Sequence, residues 1–185
     1  MKKIVIGISG SSGAVYADLL LQKLMTLKDQ WSASGVVASK NARINWRLEL
    51  GTDMVIPAAM TLYAQDDFNA PFASGSARYD TMILCPCSMG TLGRIAHGIS
   101  DDLLTRAADV ILKEKRKLIL VPRETPLSLI HLRNMTILAE CGAHILPAIP
   151  SFYTGPTSVK ELLATVVDRA LDLAGFELEA RRWGD

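Results

Sequence analysis

Short apolar runs rich in β-branched residues recur along the chain, and each stops at a cluster of small or charged residues. Lys3 to Ile8 runs into Gly10-Ser11-Ser12-Gly13, and Ser34 to Ala38 into Ser39-Lys40. Thr81 to Cys85 leads to Cys87-Ser88-Met89-Gly90-Thr91, Lys117 to Val121 to Arg123-Glu124, and His144 to Leu146 to the segment from Pro147 to Tyr153. Near-continuous apolar strands are those buried on both faces, as in a parallel sheet. Between them, residues such as Ala14, Leu19, Leu20, Leu24 and Leu27 follow helical spacing. Further helices are expected over 41–50, 91–96, 103–115, 127–141 and 158–174. The pattern predicts an α/β fold: a doubly wound, Rossmann-like parallel sheet flanked by helices. Ligands of such sheets bind beyond the carboxyl ends of the strands, where these clusters fall.

The 185 residues fit one domain, 1–185, with no internal repeat or linker. From Thr52 to Arg78 the pattern weakens, and Pro57, Pro71 and Ala73-Ser74-Gly75-Ser76 predict a long functional loop. A net charge of +1 gives no global field toward nucleic acid or anionic membrane, so any attraction for phosphate must be local. No stretch approaches the roughly 20 apolar residues that span a bilayer, and a cytoplasmic location is expected. Cys85, Cys87 and Cys141 are read as small buried hydrophobes, the first two on opposite faces of the sheet rather than paired on a metal. No metal site is expected: the histidines are scattered, and Asp66-Asp67 and Asp101-Asp102 are isolated pairs.

The first turn departs from the dinucleotide fingerprint, with glycines at Gly7, Gly10 and Gly13, and the second strand ends in Ser39-Lys40 where a ribose-clamping acid would stand. A flavin mononucleotide fits better, because its ribityl chain needs no such acid. Its phosphate can be held by a helix N-terminus and the hydroxyls of Ser39, Ser88 and Thr91. Arg123-Glu124 reads either as a salt-bridged pair or as a phosphate ligand beside a proton donor. Arg106 and Lys113 share one helix face, solvated or functional. Arg169 stands out in the last amphipathic helix, and Glu49 is either a cap or a reactive carboxylate. Trp183 in the charged tail reads as docking on its own core or on another subunit.

The stretches Gly7-Ile8-Ser9-Gly10-Ser11-Ser12-Gly13-Ala14, Pro86-Cys87-Ser88-Met89-Gly90-Thr91-Leu92 and Arg106-Ala107-Ala108-Asp109-Val110 resemble the UbiX-type flavin prenyltransferases. So do Lys113-Glu114-Lys115-Arg116, Val121-Pro122-Arg123-Glu124-Thr125-Pro126-Leu127-Ser128, His131-Leu132-Arg133-Asn134-Met135 and Pro150-Ser151-Phe152-Tyr153. The resemblance covers nearly the whole chain. It implies transfer of the dimethylallyl group of dimethylallyl monophosphate to N5 and C6 of reduced FMN, making prenylated FMN for a UbiD-type decarboxylase. It implies that Gly10, Ser11, Ser12, Ser39, Ser88, Met89, Gly90, Thr91 and Arg123 contact FMN. Lys113, Arg123, Glu124, Tyr153 and Arg169 would then surround the donor phosphate. Ser12, Glu49 and Arg106 match positions near the reacting flavin, with Glu124 as the proton donor to the leaving group, and the C-terminal Arg-Trp makes Trp183 an aromatic wall. A dodecamer with sites shared between neighbouring subunits, and no metal requirement, is expected on the same ground.

Two other readings use the same fold. A flavin-dependent cysteine decarboxylase needs a histidine soon after the first helix, and none precedes His97. A non-catalytic FMN carrier would need Ser39 and Ser88 but not Glu124 or Arg169.

Overall fold

The computed structural model describes residues 1–179 and Gly184; Trp183 lies outside the described residues. Six parallel strands, β1 (Lys2–Ile8), β2 (Trp31–Ala38), β3 (Thr61–Tyr63), β4 (Thr81–Cys87), β5 (Lys117–Pro122) and β6 (His144–Ile145), lie in the order β3-β2-β1-β4-β5-β6. The helices are α1 (Ala14–Thr26), α2 (Lys40–Leu50), α3 (Met89–Ala96), α4 (Leu103–Lys113), α5 (Leu129–Glu140) and α6 (Val159–Ala174). The expected doubly wound sheet is therefore what forms. Its order reverses between β1 and β4, which makes their carboxyl ends the topological switch point.

Alternation along the central strands divides the core. Ile4, Ile6 and Ile8 face α1 and α6 with Leu20, Leu24, Val167 and Leu171, whereas Val5 packs with Met82, Leu84, Leu92 and Leu104 under α3 and α4. Regular alternation would put residues two apart on one face. An irregularity of register between Leu84 and Cys87 instead sends Cys85 to the first cluster and Cys87 to the second. Burial pushes the Cys85 thiol up to about 12, and Cys87 is raised for the same reason, so both stay protonated and inert. Cys141, expected inside, is exposed at the end of α5, because that helix buries only Asn134 and Leu138.

The segment from Thr52 to Arg78 is more ordered than its weak periodicity predicts. It contributes the edge strand β3 and two 3-10 turns, Pro71–Ala73 and Gly75–Ala77. One anchor fixes it: Phe72 is 2% exposed and meets Tyr63 and Tyr79 edge-on, with ring centroids 5.0 and 5.4 Å away. The ring lies over Gly35 of β2, where any Cβ would overlap it. A single aromatic cannot produce a period, so the sequence shows only a loop.

Candidate active site

The switch point is tied by one hydroxyl. Ser9, 1% exposed just past β1, donates from Oγ to the Pro86 carbonyl (3.0 Å) and accepts from the Ser88 N–H (2.7 Å). The Ser9 N–H also donates to Pro86 O at 3.1 Å, so the loops after β1 and β4 move as one unit. Gly10 then passes so close to α2 that a Cβ there would overlap Asn41, and Asn45 donates from Nδ2 to the Gly10 carbonyl (3.1 Å). Backbone proximity, rather than a left-handed conformation, makes this position glycine.

Beside this turn lies a cavity of about 480 Å³ lined by Gly10, Ser39, Lys40, Asn41, Gln65, Ser88, Gly90, Thr91 and Arg94. The N-termini of two helices converge on it. Ser39 caps α2 by accepting from the Ala42 N–H (3.1 Å), and Ser88 caps α3 by accepting from the Thr91 N–H (3.3 Å) while sharing a hydrogen bond with the Thr91 hydroxyl (3.0 Å). Helix N-termini carry partial positive charge and unsatisfied N–H groups. Two of them, with three hydroxyls and the Lys40 ammonium, make a local anion site in a chain of nearly neutral charge. Met89, expected to contact the ligand, is not among the lining residues and is buried in the core, 7% exposed. Gly90 is exposed and has open space where a Cβ would stand.

The N-terminus of α1 is arranged differently. Glu49, late in α2, accepts from the Gly13 N–H (3.1 Å to Oε1, 2.9 Å to Oε2) and the Ala14 N–H (2.7 Å). An internal carboxylate thus already complements the helix that follows the glycine-rich turn. Gly13 has φ +116°, a conformation L side chains rarely adopt. Ser12 is exposed, while the Ser11 hydroxyl is shielded from solvent with no hydrogen-bond partner among the described residues. An orphaned hydroxyl is costly unless a ligand completes it. The exposed Arg123 side chain runs past Gly13, its Cγ 3.9 Å from where a Cβ would sit, and its charge reaches Tyr16. Burial raises the Tyr16 phenol above its ordinary value, helped by Cys85 and opposed by Arg123.

The other expected site residues fall elsewhere in the subunit. Glu124 is exposed and accepts from the Thr125 N–H (3.0 Å), one residue beyond Arg123 at the same sheet edge. Tyr153 and Arg169 line a separate groove of about 1040 Å³ between α1, α6 and the segment 151–158. Arg169 is 58% exposed and pairs with Asp172, so its place in α6 is a solvent-facing flank rather than the buried face. Lys113 ends α4 and pairs with Glu114 at 3.0 Å. Because α4 runs antiparallel to the strands and leads directly into β5, Lys113 stands at the amino edge of the sheet, opposite the cavity. Arg106 donates to the Ala73 carbonyl (3.0 Å) and to Asp109 (2.8 Å), holding the 3-10 turn that carries Phe72.

Sequence reading placed Lys40 at the end of β2 without assigning it a contact, and it missed Asn41, Gln65 and Arg94 in the cavity wall. Lys40 follows Ser39 directly, and Arg94 lies three residues past Thr91 on a helix whose start was already assigned to the site; both signals were available. Gln65 had none, because its position comes from the folding of the loop.

Residues 1–171 of this doubly wound chain match the Flavoprotein family. The chain is 46% identical to the flavin prenyltransferase UbiX of Thermoplasma acidophilum over 182 residues, covering 98% of this chain and 99% of that protein. It superposes with a TM-score of 0.88 on AnUbiX (PadA1) in complex with FMN and dimethylallyl pyrophosphate, at 39% identity over 100% and 98% of the two chains. The same score is found for a dodecameric FMN-dependent UbiX-like decarboxylase from Escherichia coli O157:H7, at 41% identity over 99% and 100%. The chain belongs to the UbiX family of flavin prenyltransferases.

Proposed function

We propose that this protein transfers a dimethylallyl group from dimethylallyl monophosphate to N5 and C6 of reduced FMN, without a metal, and that prenylated FMN then passes to a UbiD-type decarboxylase. The observation that carries the flavin half is the convergence of two helix N-termini and the Ser39, Ser88 and Thr91 hydroxyls on one cavity. The shielded Ser11 hydroxyl beside it supplies a donor or acceptor for the rest of the ligand, so the residues present fit FMN. When bound, reduced FMN supplies the nucleophilic nitrogen and carbon.

The chain's own groups do the rest. In transfer, the allylic C–O bond breaks and its electron pair leaves on the phosphate. Arg123, at the mouth of the turn, is placed to stabilise that developing charge. Glu124, next to it, holds the proton that the leaving phosphate takes. Glu49, fixed by three N–H contacts, is an acceptor for the proton lost when the second bond forms. Ser12 beside it is the hydroxyl through which that proton can move.

Tyr153, Arg169 and Lys113 join this centre through a homo-oligomer, for which we propose the dodecamer of the Escherichia coli relative. Helix α5 supports such an assembly, leaving Leu129, Ile130 and Leu132 at 60, 68 and 46% exposure. Among the described residues no helix is long and apolar enough to cross a membrane, and we place the enzyme in the cytoplasm.

The test is anaerobic incubation with reduced FMN and dimethylallyl monophosphate, then mass spectrometry of the extracted flavin. A mass gain of one five-carbon prenyl unit is expected. Bound but unmodified FMN, with the diphosphate donor also tried, would replace the transferase reading by that of a carrier.

A further inference from the structure

Two side chains of the cavity lining, Gln65 and Arg94, rest on one buried carboxylate. Asp102, 8% exposed, caps α4: its Oδ1 accepts from the Thr105 N–H (2.7 Å) and the Thr105 hydroxyl (2.9 Å). Its Oδ2 accepts from Gln65 Nε2 (2.7 Å) and Arg94 Nη1 (3.0 Å). Burial by itself would raise this acid, but the bonds from Thr105, Gln65 and Arg94 outweigh it and hold Asp102 below the ordinary aspartate value. Both of its oxygens are therefore spent on holding other groups.

Those groups face the cavity. Arg94 uses only Nη1 on protein, donating to Asp102 and to Asp101 Oδ1 (2.9 Å). Its Nε and Nη2 make no hydrogen bond to the described residues, which leaves three N–H donors on a cavity-lining guanidinium held through Nη1. Gln65, in the same lining, has its side-chain nitrogen committed to Asp102, which leaves its Oε1 as an acceptor. With Asp101 and Asp102 beside it, Arg94 adds no net positive field. What it adds is direction: planar, charge-assisted donors held in one orientation.

We infer that Arg94 is a phosphate-reading residue of the flavin site, that Gln65 accepts from a hydroxyl of the ribityl chain beside it, and that Asp102 is the positioning residue that sets both. This rests on the FMN reading above and deepens it. The Ser39, Ser88 and Thr91 hydroxyls, which both donate and accept, can serve a phosphate or a neutral polyol, whereas Arg94 can only donate and favours the phosphate. Arg94 therefore adds to the selectivity for FMN over riboflavin that Lys40 and the two helix N-termini supply.

The experiment compares Kd for FMN and for riboflavin, by quenching of flavin fluorescence, in wild-type protein, Arg94→Met, Asp102→Asn and the double variant. Asparagine keeps the helix cap, so Asp102→Asn tests the orientation of Arg94 rather than the folding of α4. Arg94→Met should weaken FMN about ten- to a hundredfold and leave riboflavin within about twofold. Asp102→Asn should shift the same ratio in the same direction, and the double variant should shift that ratio no further than Arg94→Met alone. Equal weakening of both flavins, or unchanged FMN affinity, would overturn the assignment of Arg94. Additive shifts of that ratio would overturn the positioning role of Asp102 toward Arg94. Wild-type protein that bound neither flavin would remove the FMN reading itself, an outcome distinct from intact FMN binding that ignores Arg94.

Discussion

The Ser9 hydroxyl accepts a hydrogen bond from the Ser88 N–H at 2.7 Å, across the two strands between which the sheet reverses direction. Through it the glycine-rich turn after β1 and the helix-capping loop after β4 share one position. Ser9→Ala would leave a buried N–H and a buried carbonyl with fewer partners. We expect a stability loss of about 1–3 kcal/mol, read from urea unfolding, because unsatisfied buried groups cost about that much. Weaker FMN binding should accompany it, since Ser88 and Thr91 lose their register. An unchanged unfolding midpoint would mean that water replaces the hydroxyl.

Glu49 caps α1 and, in the proposed reaction, also accepts a proton. Glu49→Ala removes the cap of α1 and should cost about 0.5–2 kcal/mol. Glu49→Gln keeps one acceptor oxygen but puts an amide in place of the second. Its stability should fall less than that of the alanine variant, while single-turnover prenyl transfer falls at least as far. If Glu49→Gln transfers at the wild-type rate, the carboxylate is a cap alone.

Gly35 is fixed by the Phe72 ring above it. Gly35→Ala must displace that ring, and overpacking of this kind costs about 1–3 kcal/mol. The loop that carries Gln65 and is held by Arg106 should loosen with it. Limited proteolysis within 64–78 is the direct measurement, and the faster cleavage expected should be matched by Phe72→Ala.

Asp102 gives the protein an acid sensitivity with a definite sign. Its folded-state pKa lies below its unfolded value, so the stability it contributes is complete above the unfolded value and is lost as pH falls through the folded one. Asp102→Asn should therefore be destabilised relative to wild type by about 1–2 kcal/mol at pH 7, the size of a hydrogen-bonded charged contact. The difference should shrink below about pH 4. A gap that stays constant from pH 7 to pH 3 would show that the charge is not what matters.

Much of the molecule was readable in order along the chain. β1 could be recognised because Ile4, Val5, Ile6 and Ile8 are apolar without a break, and α1 because its leucines follow one helical face. Ser39 and Ser88 were legible as site residues because each ends a strand and starts a helix, a role that local sequence carries whole. Gln65 was not, since its place depends on Phe72 finding Gly35 across the sheet. Lys113 and Arg169 were read as ligands, but one subunit places Lys113 at the opposite edge and Arg169 on a separate groove. Period and motif say which helix face a residue occupies and nothing about which edge of the sheet that helix end reaches.

By itself, then, the sequence determined the strand–helix alternation, the parallel sheet and the hydroxyls that line the switch-point cavity. These follow from contacts between residues close in the chain, where side-chain period and capping chemistry act. Only the tertiary structure decided which helix N-terminus is open to an anion. Glu49 reaches from the end of α2 to the start of α1 and complements it, leaving the starts of α2 and α3 without such a carboxylate at the cavity. That choice depends on a hydrogen bond spanning 36 residues, and such a bond exists only once the sheet has brought its two ends together.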